Sequence, residues 1–213
     1  MEKSKSKRPR TGARDRILET ALRLFYLDGV RATGIDKIIA ESGVAKMSFY
    51  RHFPSKNDLI AEYLRSRSET WLAWFKSTVD KKLQQAGSGL EVIAEPLRQW
   101  FAEPGFRGCP FINALAENPS PDPEIRRVIL NHKTDLEQWI ADLASRLEYI
   151  APRQTASAVL LLIDGAIIRY HMTADASAVD SCQVFLKKLP RQMRKAGPEE
   201  ETQAQLFLPG LGI

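Results

Sequence analysis

Apolar residues recur at helical spacing along most of the chain, and no segment shows the alternation typical of a strand. Within residues 33–56, Ile35, Ile38 and Ile39 are spaced i, i+3, i+4, which predicts a short helix with one apolar face. Gly43 tolerates the left-handed backbone that ends a helix, and a second short helix is predicted from Val44 to His52. Two short helices joined by a tight glycine turn are therefore expected here.

The two faces of the second helix differ sharply. At about 100° per residue, Ala45, Phe49 and Phe53 fall on one side, and the other side carries Lys46, Met47, Tyr50 and Arg51. A packed face opposite a face of cations and a phenol is typical of a helix-turn-helix whose second helix enters the DNA major groove. The alternative is an ordinary helical hairpin whose outward charges are only solvated.

The first short helix is expected to have its own cap. Thr33 is predicted to be the N-cap, whose hydroxyl accepts a hydrogen bond from a backbone N–H of the first turn. Asp36 follows three residues later, as in a capping box.

The run TGIDKIIAESGVAKMSFYRHFPSKNDL resembles the DNA-binding signature of the TetR family of bacterial transcriptional regulators, and the resemblance covers residues of about 14–60. It implies that Lys46 and Ser48 approach base edges. It also implies that the phosphate backbone is held by Thr33, Tyr50, His52 and Lys56. Met47 departs from the family pattern, in which a small residue is usual, and its thioether is expected either to touch a thymine methyl or to crowd the backbone.

The rest of the chain also predicts helices, so the expected fold class is all-α. A supporting helix begins at Arg14 and ends at Asp28, with an apolar face made of Ile17, Ala21, Leu24 and Phe25. A second capping box, Ser55 with Asp58, starts a long helix towards Leu83. Further helices are expected at residues 90–102, 111–117, 124 to about 149, 152 to about 174, and 176–190. The predicted organisation is a basic arm (1–13), a three-helix helix-turn-helix domain (14–56), a helical effector-binding and dimerisation domain (57–196) and a tail (197–213).

The charge distribution separates the two predicted domains. Residues 1–62 hold 13 Lys and Arg against 8 Asp and Glu, whereas the remaining 151 residues hold 18 of each. All of the net charge of +5 therefore lies in the part that contains the helix-turn-helix. A basic module on a neutral body is expected of a DNA-binding domain joined to a part with a second role.

Aromatic side chains concentrate in the second predicted domain and suggest an effector site. Plain core packing is one interpretation, because aromatics at helical spacing usually fill cores. The other is an apolar cavity for a small effector, oriented by a few polar groups. The residues predicted to line it are Trp71, Trp74, Trp100, Phe101, Phe111, Asn113, His132 and Tyr170.

The two terminal helices are predicted to form a homodimer interface. The helix at about 152–174 is the most apolar of the chain, and burying it against a second copy would present two recognition helices to a palindromic operator. The residues predicted to form the interface are Val159, Ile163, Ile167, Val179 and Phe185.

Motifs for catalysis and for metal or cofactor binding do not stand out. The sequence has no GxSxG, P-loop or GxGxxG pattern, and its histidines, His52, His132 and His171, lie far apart. We predict no enzyme activity, no metal and no cofactor. No run of 18 apolar residues and no apolar signal-peptide segment is seen, so a cytoplasmic protein without a membrane span is expected.

The two cysteines fit a reducing compartment. Cys109 and Cys182 form no CxxC pattern. Cys109 lies at the predicted start of a helix, where it is either a buried inert thiol or one that reacts with oxidants or electrophiles. Cys182 is predicted to pack in the core.

The sequence thus predicts a DNA-binding transcriptional regulator, a repressor released from a palindromic double-stranded operator by a small apolar effector. Two alternatives are a helical sensing protein without operator recognition and a regulator that responds to oxidants or electrophiles through Cys109.

Overall fold

A computed structural model describes residues 12–86, 89–118 and 120–193. Across these residues the chain forms nine α-helices and one 3-10 helix and no extended strand, which confirms the predicted all-α fold. The helices are α1 (Ala13–Asp28), α2 (Ile35–Ser42), α3 (Lys46–His52), α4 (Lys56–Ala86), α5 (Ala94–Phe101, preceded by the 3-10 helix Leu90–Ile93), α6 (Pro110–Glu117), α7 (Pro123–Arg146), α8 (Pro152–Thr173) and α9 (Ser177–Met193). Most of the predicted basic arm and the predicted tail lie outside the described residues.

The chain divides into two compact units, and each is described by itself. The first contains the described residues of Met1–Ser77 together with Ala102–Thr134, and the second contains those of Thr78–Phe101 together with Asp135–Ile213. Helices α4 and α7 each contribute residues to both. The first unit therefore includes α6, which the predicted boundary at residue 56 had placed in the other domain; the functional boundaries stay a prediction.

The core of the first unit is built on α1. Its predicted apolar face is confirmed, because Ile17, Ala21, Leu24 and Phe25 are all buried. The ring of Phe25 meets that of Tyr63 from α4 edge-on, with centroids 5.4 Å apart. Burial raises the pKa of the Tyr63 hydroxyl, so this group stays neutral. Helix α1 thus supplies a rigid support for α2 and α3, both of which it contacts.

The predicted capping box at the start of α4 is confirmed. The Ser55 backbone N–H donates to the Asp58 carboxylate at 2.9 Å, and the Asp58 N–H donates to the Ser55 hydroxyl oxygen at 3.1 Å. Helix α4 then continues unbroken for 31 residues. Within the first unit, Arg65 ties it to α7 by ion pairing with Glu124.

The second unit is organised on α8 and α9, which pack on each other, and α9 also packs on α5 and the 3-10 helix before it. Arg98 of α5 bridges to Asp180 of α9 at 2.8 Å. By length and composition alone, α8 is apolar enough to cross a membrane, a property that core helices of soluble proteins share. Only a third of its most apolar stretch is buried in the protomer.

Candidate nucleic-acid interface

Helices α2 and α3 form the predicted helix-turn-helix. Gly43 ends α2 in the left-handed conformation, with φ 63° and ψ 32°, and its N–H donates to the Ile39 carbonyl at 3.1 Å. A residue with a side chain would be strained at this φ, so glycine fits the turn. Helix α3 begins at Lys46, two residues later than predicted, because Ala45 is its N-cap in an extended conformation.

The two faces of α3 are arranged as predicted, with one exception. Phe49 is fully buried and Phe53 nearly so, which anchors α3 in the first unit. Ala45 is exposed at the N-cap and does not pack. The residues directed to solvent, which we call the outer face of α3, are Lys46, Met47, Tyr50, Arg51 and His52. Lys46 and Met47 keep 65% and 78% of their surface, so both are available to a partner.

Thr33 requires a correction. It was predicted to cap α2 and to contact phosphate, but it is only 1% exposed. Its hydroxyl donates to the Gly29 carbonyl at 2.8 Å and lies 3.3 Å from that of Leu24, while Gly34 takes the N-cap position without a side-chain cap. Gly29 is the C-cap of α1 and has a φ of 93°. Its carbonyl oxygen has no partner within the helix and accepts the hydrogen bond from the Thr33 hydroxyl. Thr33 therefore fixes the α1–α2 turn from inside.

Lys56 is half-buried beside the same turn. Its ammonium donates to the Arg31 carbonyl at 3.3 Å. Burial lowers the pKa of Lys56, and the nearby Glu117 carboxylate opposes that effect. The Glu117 carboxylate also accepts the Arg31 backbone N–H at 2.7 Å. Both backbone groups of Arg31 are thus held by side chains from α4 and α6.

A second link joins α1 to the loop before α6. The Tyr26 hydroxyl accepts the Arg107 N–H at 3.0 Å and donates to the Gly108 carbonyl at 3.3 Å. The Asn113 amide donates to the Arg107 carbonyl at 2.7 Å, so one of its donors, predicted to orient an effector, is used to hold this loop. The sequence analysis missed Tyr26 and Glu117, because these partners are more than 80 residues apart and no local pattern announces them.

Asp36 is a further residue that sequence reasoning did not assign to the outer surface. Its carboxylate lies 3.5 Å from the Lys46 ammonium, and its side chain is 89% exposed. Its position in the first turn of α2 predicted only a helix-capping role. The contact with Lys46 depends on how closely the turn at Gly43 brings α2 to the start of α3, and sequence spacing does not state that distance.

Four of the five predicted effector residues in the first unit form one cluster that includes His132. The His132 ring stacks on Phe111, with centroids 3.7 Å apart, and meets Trp71 edge-on at 5.7 Å. Trp71 also contacts Trp74, at 6.4 Å. Burial lowers the pKa of His132 to about 3, so the imidazole is neutral, and its Nδ1 lies 2.9 Å from the Ser68 hydroxyl. We call Trp71, Trp74, Phe111 and His132 the His132 cluster.

The other aromatic residues of the predicted effector site belong to the second unit. Phe101 stacks on Tyr170 with centroids 4.6 Å apart, and Trp100 lies beside Phe101 at 6.2 Å. A cavity of about 490 Å³ in this unit lies elsewhere, between the end of α7 and the start of α8. It is lined by polar residues, among them Gln138, Asp142 and Arg153, together with Ala141, Ala151 and Pro152, and by none of the predicted effector residues.

The predicted dimer interface also requires a correction. Val159, Ile163, Ile167 and Val179 are at most 2% exposed, because they form the core between α8 and its neighbours in the same protomer. They are therefore unavailable to a partner, whereas Phe185 is 56% exposed. The exposed apolar residues of these two helices are Leu161, Ile168, Met172, Val184 and Phe185.

Both cysteines are buried, reduced thiols. Cys109 is 4% exposed at the N-cap of α6, which favours the inert role over a reactive one. Burial raises the pKa of Cys182 to about 11, in line with its predicted packing role. In the described parts of the chain, no group of three His, Cys, Asp or Glu residues is placed to hold a metal ion.

Comparisons with known proteins find bacterial transcriptional regulators. Residues 17–63 match the model of the bacterial regulatory proteins of the tetR family. An uncharacterized helix-turn-helix transcriptional regulator from the lacX 3' region of Lactococcus lactis is 25% identical over 82% of this chain and 91% of its own length. The transcriptional repressor KstR2 of Mycolicibacterium smegmatis is 33% identical over 38% of this chain and 37% of its own length. The crystal structure of SCO4454, a regulator of Streptomyces coelicolor, superposes with a TM-score of 0.74 at 27% identity, covering 86% of this chain and 96% of that one.

Proposed function

Because this chain belongs to the TetR family of bacterial transcriptional regulators, which are not enzymes, we propose that it binds a specific double-stranded DNA operator through α3. The observation that carries the proposal is the outer face of α3, where a cation and an apolar side chain stand exposed on a helix anchored by the buried Phe49. A rigid helix with an exposed polar face suits the major groove, which admits one α-helix. Such a protein acts in the cytoplasm, where bacterial DNA lies.

The outer face offers two kinds of contact. We assign Lys46 and the half-exposed Ser48 to base edges, with Met47 placed to meet a thymine methyl. Tyr50, His52 and Lys56 are assigned to phosphates, which they bind without reading sequence. Lys56 has one donor on Arg31, so two of its N–H groups remain for phosphate. Residues 14–56 form the DNA-binding domain in this proposal, and residues 57–196 provide effector binding and dimerisation.

The surface of α8 supports the proposal of a homodimer. Leu161, Gly165, Ile168 and Met172 are spaced i, i+4, i+7, i+11 and are all exposed, so they form one apolar stripe. Among the described residues, no atom outside the adjacent backbone of α8 lies within 4 Å of a Cβ built on Gly165, which leaves room for a partner helix to approach closely. With Val184 and Phe185 of α9, this stripe replaces the buried residues as the proposed interface. A two-fold axis there would present two α3 helices to a palindrome.

The regulatory role is that of a repressor released by a small apolar effector. The relative named a repressor supports that role. In the first unit, the half-buried rings of Trp71 and Trp74 offer flat aromatic surface beside the buried, neutral His132, which suits an uncharged, flat molecule. Trp71 stands on α4, and the same unbroken helix contributes Lys56. An effector that prefers one arrangement of α4 would change DNA affinity about 5–150-fold at typical coupling energies.

The first experiment is selection of DNA from a random duplex library by the purified protein, followed by fluorescence anisotropy of the selected duplex at several salt concentrations. The proposal expects a palindromic motif and an affinity that falls steeply with salt, because phosphate contacts release counterions. A sensing protein without operator recognition would enrich no motif. A regulator acting through Cys109 would enrich a motif, and oxidation would abolish binding of the wild type but not of Cys109→Ser. If oxidation also abolished binding of Cys109→Ser, a role for Cys109 would be excluded.

A further inference from the structure

The exposed surface of the helix-turn-helix carries an acid, Asp36, directly beside Lys46. Asp36 lies in the first turn of α2, and its carboxylate oxygen is 3.5 Å from the ammonium of Lys46 at the start of α3. The two side chains are 89% and 65% exposed, so they stand together at the surface without further cover. Whatever partner Lys46 meets, Asp36 meets as well.

A carboxylate in this place has a cost for DNA binding. Phosphates repel it, and it neutralises part of the charge of the cation beside it. The ion pair adds little to stability in return, because solvent screens an ion pair between two exposed side chains. The other two acids paired on this part of the surface are arranged differently: Asp28 pairs with Lys37, and Glu41 pairs with Arg23, neither of which belongs to the outer face of α3. Asp36 alone among these three acids is paired to a residue assigned to a base.

We propose that Asp36 is a specificity-determining residue and that, with Lys46, it recognises one G·C base pair in the major groove. The inference rests on the proposed DNA-binding function. The Lys46 ammonium donates to guanine O6 and N7, and the Asp36 carboxylate accepts from the N4 amine of the paired cytosine. Guanine O6 and cytosine N4 are hydrogen-bonded to each other, so they lie about 2.9 Å apart. A donor and an acceptor held 3.5 Å apart on the protein therefore match this edge.

The same pair fits A·T less well. There the adenine N6 amine would serve the carboxylate, but it is flanked by two acceptors, adenine N7 and thymine O4, and both repel an anion. The ammonium would reach O4 alone, beside the thymine methyl. In G·C the cation has two adjacent acceptors and the anion has a donor with no acceptor beyond it. Asp36 thus converts a cation that binds any phosphate into a pair that favours one base pair.

The experiment repeats the library selection with wild type, Asp36→Ala and Asp36→Asn, and then measures anisotropy on duplexes substituted at each position. Wild type should select a G·C pair at which Asp36→Ala loses discrimination by about five- to tenfold, the value of one good contact. Asp36→Asn should lose less, because its amide oxygen still accepts a hydrogen bond from the cytosine amine. Affinity for unrelated duplex should rise in both variants, because a charge that repels phosphate has been removed. Circular dichroism checks that the exposed substitutions leave the helices intact.

The matched control is Glu41→Gln, which removes an exposed charge from the same helix. It should leave the selected motif unchanged. Lys46→Ala should relax the same base pair as Asp36→Ala, and the double variant should lose no more there than the single ones, because the two groups act together. A motif that Asp36→Ala leaves unchanged at every position would overturn this inference and leave the proposed function standing. Selection of no motif by wild type would overturn both.

Discussion

The α2–α3 segment and the α8–α9 segment both show apolar periodicity, but only in the first does the periodicity identify the functional face. Helix α3 has one buried position among seven residues, Phe49, and the rest of its surface is polar or exposed. Helix α8 is apolar around most of its circumference, with Ile163 inside the protomer and Leu161 73% exposed. A helix with two apolar faces must choose one for its own core, and sequence spacing does not state which.

Burial within the protomer's own unit decides which apolar residues remain available to a partner. It explains why the sequence analysis assigned Ile163 and Ile167 to the dimer interface: they had the strongest helical spacing, and that is the property that places a residue in its own core. Leu161, Ile168 and Met172, whose row along the helix is interrupted by Gly165, remain at the surface. They are the better prediction for the partner.

The largest expected effect separates these two faces of α8. Ile163→Glu would bury an unpaired carboxylate in the core of the second unit, at a cost above about 4 kcal/mol, and the protein should unfold or fail to accumulate. Leu161→Glu, two residues away and largely exposed, should give a folded monomer. Circular dichroism and sedimentation of both variants make the measurement. Folded dimers from Leu161→Glu would show that the α8 stripe is not the interface.

The next effect tests the corresponding division on α3. Phe49→Ala removes a fully buried ring and should lower the free energy of unfolding by about 3–5 kcal/mol, which urea titration measures. Met47→Ala, at an exposed site, should change stability by less than about 0.5 kcal/mol and alter only base preference. If Met47→Ala destabilised the protein as much as Phe49→Ala, the assigned faces of α3 would be wrong.

Burial in the protomer also determines how stability depends on pH, through the buried side chain of His132. Its pKa is about 3 in the folded protein against 6.5 for the free side chain, so the unfolded chain binds the extra proton between these values. Stability should be complete above pH 7 and lost as the pH falls through 6.5 towards 3, by about 2 kcal/mol at pH 5. His132→Phe should remove this slope, whereas His171→Gln, at an exposed site, should keep it. An unchanged slope in His132→Phe would mean that other groups cause it.

Local patterns predicted the fold, because each signal lay within a few residues: the glycine turn at Gly43, the capping box at Ser55 and the apolar face of α1. Long-range contacts supplied what the sequence could not. Thr33 is buried because it packs against the end of α1, where its hydroxyl donates to the Gly29 carbonyl. Tyr26 and Glu117 hydrogen-bond to residues that are distant in sequence. Asp36 contacts Lys46 because the left-handed turn at Gly43 places the start of α3 beside the first turn of α2.

The most direct test of DNA recognition by α3 compares Lys46→Ala with Lys56→Ala, using anisotropy on the selected operator, on its single-base variants and on unrelated duplex, over a range of salt concentrations. Lys46→Ala should lose discrimination at particular base pairs, by about 1–3 kcal/mol. Lys56→Ala should weaken binding to all duplexes alike and reduce the salt slope by about one unit, as loss of one phosphate contact requires. Equal losses on every duplex from both variants would contradict base reading by α3.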